Sequence, residues 1–138
     1  MFTFKYTRWW YLVEYMTVIC DLKDSKQLAD RESVQYRLID ALKEANANFA
    51  SVLAAPFIIT IGDEWQGLLA YPCDYKSVLD FFCGKLAGLE FYTGVGIGEV
   101  TIHNFELTVN QLDGPSFYKA RMAIKIAKRM KFSLVYIH

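Results

Sequence analysis

Apolar and polar positions change period several times along this chain, and each change marks an element. Residues 17–21 (TVICD) are β-branched and apolar, then give way to the turn-forming DLKDSK, which predicts a first strand over Thr17–Asp21. From Asp30 to Ala47 the period becomes helical: Val34, Leu38, Leu42, Ala45 and Phe49 recur on one face, with Asp30 placed as N-cap. Pro56–Ile61 is a continuous apolar run rich in isoleucine, a second strand. Gly62, Asp63 and Glu64 form a turn, and Trp65–Tyr71 returns as the hairpin partner. A second helix spans about Tyr75 to Ala87, with Val78, Leu79, Phe82 and Leu86 on one face. Glu90–Val100 is a fourth strand whose alternating Gly94, Gly96 and Gly98 suit close approach by a helix or another backbone. Pro115 opens a third helix to Met130, and Lys131–Ile137 is a last strand.

The order β-α-β-β-α-β-α-β places the chain in the α/β (α+β) class. Its first six elements match the ferredoxin-like, split-βαβ arrangement: an antiparallel sheet with helices on one face, extended here by a final helix and strand. Residues 16–138 read as a single domain. Residues 1–15 (MFTFKYTRWWYLVEY) differ in style. They are either an extension ahead of a natural start at Met16 or an extra edge strand whose Trp9, Trp10 and Tyr11 cover apolar surface.

Composition narrows the partners. The chain is 54% hydrophobic and 22% charged, enough to fill a core and too apolar for disorder. Fifteen acidic residues balance fifteen basic ones, so nothing draws the domain as a whole to nucleic acid or an anionic membrane. The same neutrality leaves little repulsion between copies, and a homo-oligomer, most simply a dimer, is expected. Cys20, Cys73 and Cys83 are odd in number and match no zinc spacing. They read as buried or partly buried free thiols of a reducing compartment. Residues 9–20 are interrupted by Glu14, and residues 45–62 contain Asn46, Asn48, Ser51 and Pro56. Neither reads as a membrane span, and a cytoplasmic location is expected.

Candidate chemistry gathers where the first strand ends and the hairpin turns. In a split-βαβ sheet Asp21 and the Asp63–Glu64 turn can lie close together. Paired carboxylates repel, which calls for a raised pKa or a cation. Magnesium suits such oxygen ligands, with Asp21 and Asp63 as ligands and Asp24, Ser25 and Glu64 around them. Asp and Gly are also ordinary turn residues, and an Asp at a strand end serves equally as a cap. The third helix carries Lys119, Arg121, Lys125, Lys128 and Arg129, a pattern that fits a solvated face and the helix dipole as well as a phosphate surface. Glu99 reads as a solvated strand end, and the GxGxG of the fourth strand as close packing rather than a dinucleotide loop. Trp65, next to the turn acids, is the aromatic best placed to stack on a ligand base.

The segments VICDLKDSK, FIITIGDEWQGLL, GVGIGEV and DGPSFYKARMAI, in that order over most of residues 16–130, resemble the SatD family of bacterial proteins. Longer members continue into a tail that looks helix-turn-helix-like, so this resemblance casts the chain as an N-terminal domain. More remotely, the same segments are similar to the palm domain of class III nucleotide cyclases and of GGDEF domains. That resemblance implies a magnesium or manganese site on Asp21 and Asp63, and a phosphate-stabilising arginine at Arg121. It also shows departures: Ile59 stands where the purine-reading lysine is expected, and Phe117 where an asparagine precedes the helix arginine. Losing positioned polar groups around a reacting phosphate costs orders of magnitude in rate, so ordinary cyclase activity is not expected. Three functions follow: a regulatory domain sensing a divalent metal or nucleotide; a metal-dependent nucleotidyl- or phosphoryl-transfer enzyme; and a non-catalytic dimerisation domain of a stress-response or transcriptional protein.

Overall fold

The computed structural model describes residues 13–138. The elements are β1 (Glu14–Leu22), a short 3-10 turn (Ser25–Gln27), α1 (Arg31–Asn48), β2 (Leu53–Ile59), β3 (Glu64–Ala70), α2 (Tyr75–Lys85), β4 (Phe91–Glu99), α3 (Pro115–Met130) and β5 (Leu134–Ile137). They form one five-stranded sheet in the order β2-β3-β1-β4-β5. All neighbours are antiparallel except β4 and β5, which run parallel. β1 is therefore flanked on both sides, as the split-βαβ order requires.

Local chemistry explains the boundaries. The Asp30 carboxylate accepts from the Ser33 amide at 3.1 Å, and Asp74 accepts from Ser77 at 3.3 Å, so both α1 and α2 begin on a side-chain cap. α3 starts at Pro115 behind Gly114, whose φ of 137° a side chain would strain. α3 ends at Lys131, which takes the left-handed cap conformation, so the last strand begins at Leu134 rather than at Lys131 as expected. β2 is a bulged edge strand with Pro56 exposed. There Asn46 of α1 takes over as partner: its amide donates to the Phe57 carbonyl at 2.9 Å and its carbonyl accepts from the Phe57 amide at 2.7 Å. β1 already includes Glu14 and Tyr15, two residues ahead of the expected domain start at Met16. The expected role of Trp9, Trp10 and Tyr11 lies outside the described residues.

Alternation along β1 sorts the two faces. Met16, Val18, Cys20 and Leu22 join Trp65, Leu69, Val95 and Ile97 in the main core under α1 and α2. Thr17 and Ile19 point the other way, toward α3. The helices of the split-βαβ core do share one face as expected, but α3 covers the opposite one. The glycines of β4 make that possible. A methyl group at Gly94 would collide with the backbone of Ile124 and Ala120, and one at Gly96 with that of Ala120 and Ser116. α3 thus lies directly on the β4 backbone. Its first turn is tied down by Ser116, whose buried hydroxyl lies 2.8 Å from that of Thr17 and donates to the Gly96 carbonyl at 2.9 Å.

Candidate functional site

The antiparallel register of β1 and β3 sets Asp21 directly opposite Glu64. Residues opposed in this way present their side chains to the same face, here the one that α3 covers. Asp63 immediately precedes β3, and its carbonyl accepts from the Leu22 amide at 3.3 Å. The three acids singled out in the sequence are therefore gathered at one end of the sheet. Glu99 is not among them: it pairs with Glu14 at the far end of β1.

Each carboxylate has its own cation. Arg121 of α3 grips Glu64 with both guanidinium nitrogens, at 2.6 and 2.9 Å, and the Thr60 hydroxyl donates to the same carboxylate at 2.6 Å. Lys128, two turns further along α3, pairs with Asp21. Arg31, the first residue of α1, holds Asp63 at 2.5 Å. Because α1 and α3 lie on opposite faces, the acidic end is clamped from both sides. Glu64 is the most buried of the three acids, and burial pushes its carboxyl upward. The Arg121 and Thr60 hydrogen bonds outweigh that and hold it below the usual carboxylate range. The same bidentate contact raises the Arg121 guanidinium.

The arrangement differs from the expected one in which Asp21 and Asp63 share an ion. Their backbones meet, but their side chains are engaged by different protein cations. No group of three or more Asp, Glu, His or Cys side chains among the described residues is close enough to hold a metal. The donor set still suits a hard cation, since Asp21 and Asp63 offer only oxygen. Their partners Lys128 and Arg31 are both nearly half exposed and so displaceable. Glu64, gripped by three donors, is the least available. Asp24 and Ser25 do join Asp21, lining with Tyr92 and Lys128 a groove of about 410 Å³ beside the acids. Asp24 adopts a left-handed conformation there, with φ 52°.

Two expectations need correction. Trp65 offers no face to a ligand: it is fully buried on the α1/α2 side, packed against Phe82 and Phe91 at centroid distances of 5.6 and 5.3 Å. Its position next to Glu64 in sequence puts it on the other side of the strand. Cys83 is exposed rather than buried, whereas Cys20 is a core residue whose thiol burial pushes up to about 12. Sequence reasoning missed Arg31 and Lys128 as partners of the acids. Arg31 follows an N-cap in a loop-to-helix junction, and only its proximity to the hairpin in three dimensions marks it. The departures seen in sequence are packing residues here: Phe117 is buried with Val100 and Leu112, and Ile59 packs against the main core. Among the described residues no helix is long and apolar enough to cross a membrane.

Solved structures with the same architecture are nucleotide-cyclase and GGDEF domains. A bacterial light-regulated adenylyl cyclase superposes with a TM-score of 0.61 at 13% identity, covering 91% of this chain and 76% of its own. The GGDEF domain of a Pseudomonas aeruginosa protein gives 0.60 at 16%, covering 91% and 83%. The guanylate cyclase domain of a Catenaria anguillulae protein, solved in complex with GTP, gives 0.52 at 16%, covering 83% and 73%. At these identities the likeness shows the cyclase-palm fold. No curated protein matches the chain. The SatD family model matches residues 15–133, from β1 through α3 and short of β5, and the chain belongs to the SatD family.

Proposed function

We propose that this domain is a regulatory module that senses a divalent cation, magnesium or manganese, alone or with a nucleotide, at the acidic end of its sheet. The observation that carries this reading is the set of three carboxylates, each neutralised by a separate cation drawn from helices on two faces. A ligand that takes Asp21 and Asp63 must release Lys128 and Arg31. Those cations become available to a phosphate, and the ties of α1 and α3 to the sheet end change together. Binding is thereby converted into a shift between the two helical layers, which is what a sensing domain needs. The metal would be held by Asp21 and Asp63 and would supply charge neutralisation for a bound phosphate. Nucleotide recognition by fold relatives, such as the GTP complex of the Catenaria domain, supports the nucleotide part. The apolar packing of Ile59 and Phe117 favours binding without turnover over a transferase.

Thermal melting with Mg²⁺, Mn²⁺ and a panel of nucleoside triphosphates tests the reading. A ligand present at about 100 times its dissociation constant stabilises by about 2.7 kcal/mol, a rise of several degrees. Asp21→Asn and Asp63→Asn should remove the rise. Melting that ignores every metal and nucleotide in the parent chain would end the sensing proposal, and pyrophosphate release above a buffer blank would replace it with catalysis.

A further inference from the structure

The outward side of α3 carries Tyr118, Met122, Ile126 and Met130, four apolar residues each four positions from the next. They are 59%, 58%, 37% and 55% exposed, and Phe132 just beyond the helix is 51% exposed. Spacing of four aligns them as one ridge. The helix cannot roll to bury it, because the glycines of β4 and the Ser116 hydrogen bonds fix its opposite side. The flank toward β3 is occupied as well, with Arg121 and Lys128 tied to Glu64 and Asp21. A continuous apolar ridge of this length on a charged helix marks a contact surface.

The charges at its ends indicate what it contacts. Asp113 lies at the N-terminal end, near enough to Tyr118 to push its phenol upward. Arg129 and Lys131 lie at the C-terminal end. With Asp113 at one end and Arg129 and Lys131 at the other, the surface can pair with itself when turned end for end, the exposed Lys125 lying between them. We propose that the outer face of α3 docks against the same face of a second copy of this chain, antiparallel about a two-fold axis. Asp113 and Tyr118 of one copy then meet Arg129 and Met130 of the other, Met122 and Ile126 fill the centre, and the two helix dipoles oppose each other favourably. This contact stands independently of any ligand at the acidic end. The 16 residues of α3 span about 24 Å, so the contact is small for a specific interface and a weak dimer is expected.

Sedimentation velocity of the full chain from about 1 to about 300 µM should follow a monomer–dimer transition with its midpoint in the tens of micromolar. Met122→Glu or Ile126→Glu, both surface changes that leave circular dichroism unaltered, should weaken association by at least about 30-fold. Asp113→Lys and Arg129→Glu should each weaken it by about 5- to 10-fold, and the two combined should restore it, since each copy then presents the swapped pair. A monomer at every concentration overturns the proposal, as does a dimer indifferent to Met122→Glu. Failure of the combined swap to restore association overturns the antiparallel contact. A dimer that forms only after removal of residues 1–12 assigns the ridge to that segment instead.

Discussion

At the residue scale the Glu64–Arg121 pair is the interaction most sensitive to change. The Glu64 side chain is only 7% exposed. Removing its partner leaves a buried carboxylate with one remaining side-chain donor, Thr60. Breaking such a pair costs about 3–5 kcal/mol when both groups are buried; Arg121 is more than a third exposed, and solvent screening reduces this to about 2 kcal/mol. Arg121→Met should therefore lower the melting temperature by several degrees in calorimetry. The pH dependence follows from the direction of the Glu64 shift. Its folded carboxyl lies below the ordinary value of 4.5, so its contribution is fully present above pH 4.5 and is lost as pH falls through the lower folded value. The parent chain should lose stability in that acid window, and urea midpoints for Arg121→Met should fall less there.

At the element scale the decisive contact is α3 on β4. Gly96→Ala puts a methyl group into the backbone of Ala120 and Ser116, neither of which is a flexible chain end. A cost of at least about 3 kcal/mol is expected, because the helix must lift from the sheet as a unit. Gly84 in α2 is the control: nothing lies within 4 Å of an added methyl, so Gly84→Ala should stabilise by about 0.5–1 kcal/mol through helix propensity. Chemical denaturation of both variants checks the pair, and a tolerated Gly96→Ala would contradict the close approach. This contact was legible in sequence, since three glycines at every second position strip one face of a strand of side chains, and a closely packed backbone fills the space they leave. So was the capped start of α1 at Asp30, whereas the Asp74 cap of α2 was not singled out. What period and propensity did not reveal was the face each helix takes, which depends on connection geometry rather than on any local pattern. Trp65 was misjudged for the related reason that sequence adjacency to Glu64 means opposite faces once the segment is a strand. Asp21 and Glu64 could be brought together from topology alone, because strand pairing sets them opposite each other, whereas Arg31 and Lys128 could not, because no strand register fixes where those helix residues meet the sheet.

At the scale of the whole molecule, one sheet end joins both helical layers through a neutral set of three acids and three bases. On the proposed reading, neutrality at rest sets a threshold, because a divalent cation must displace a protein cation before it gains a carboxylate. Lys128 is the partner to remove, since it is nearly half exposed and holds Asp21 as a point charge rather than through a bidentate grip. Lys128→Met leaves the set with one net negative charge and Asp21 unpaired. A pair of unit charges about 4 Å apart near a protein surface interacts by at most about 4 kcal/mol, and exposure and salt reduce this to the order of 1–2 kcal/mol. Manganese affinity measured by calorimetry should accordingly rise about tenfold in Lys128→Met, with the gain shrinking at high salt. The metal-free variant should melt slightly below the parent and recover on adding manganese. Adding Asp21→Asn should erase the gain, because the vacated carboxylate is what the ion takes. If Lys128→Met binds manganese no better than the parent chain, the lysine does not compete with metal for Asp21, and the acidic end is a charge-balanced joint between two helical layers instead of a sensor.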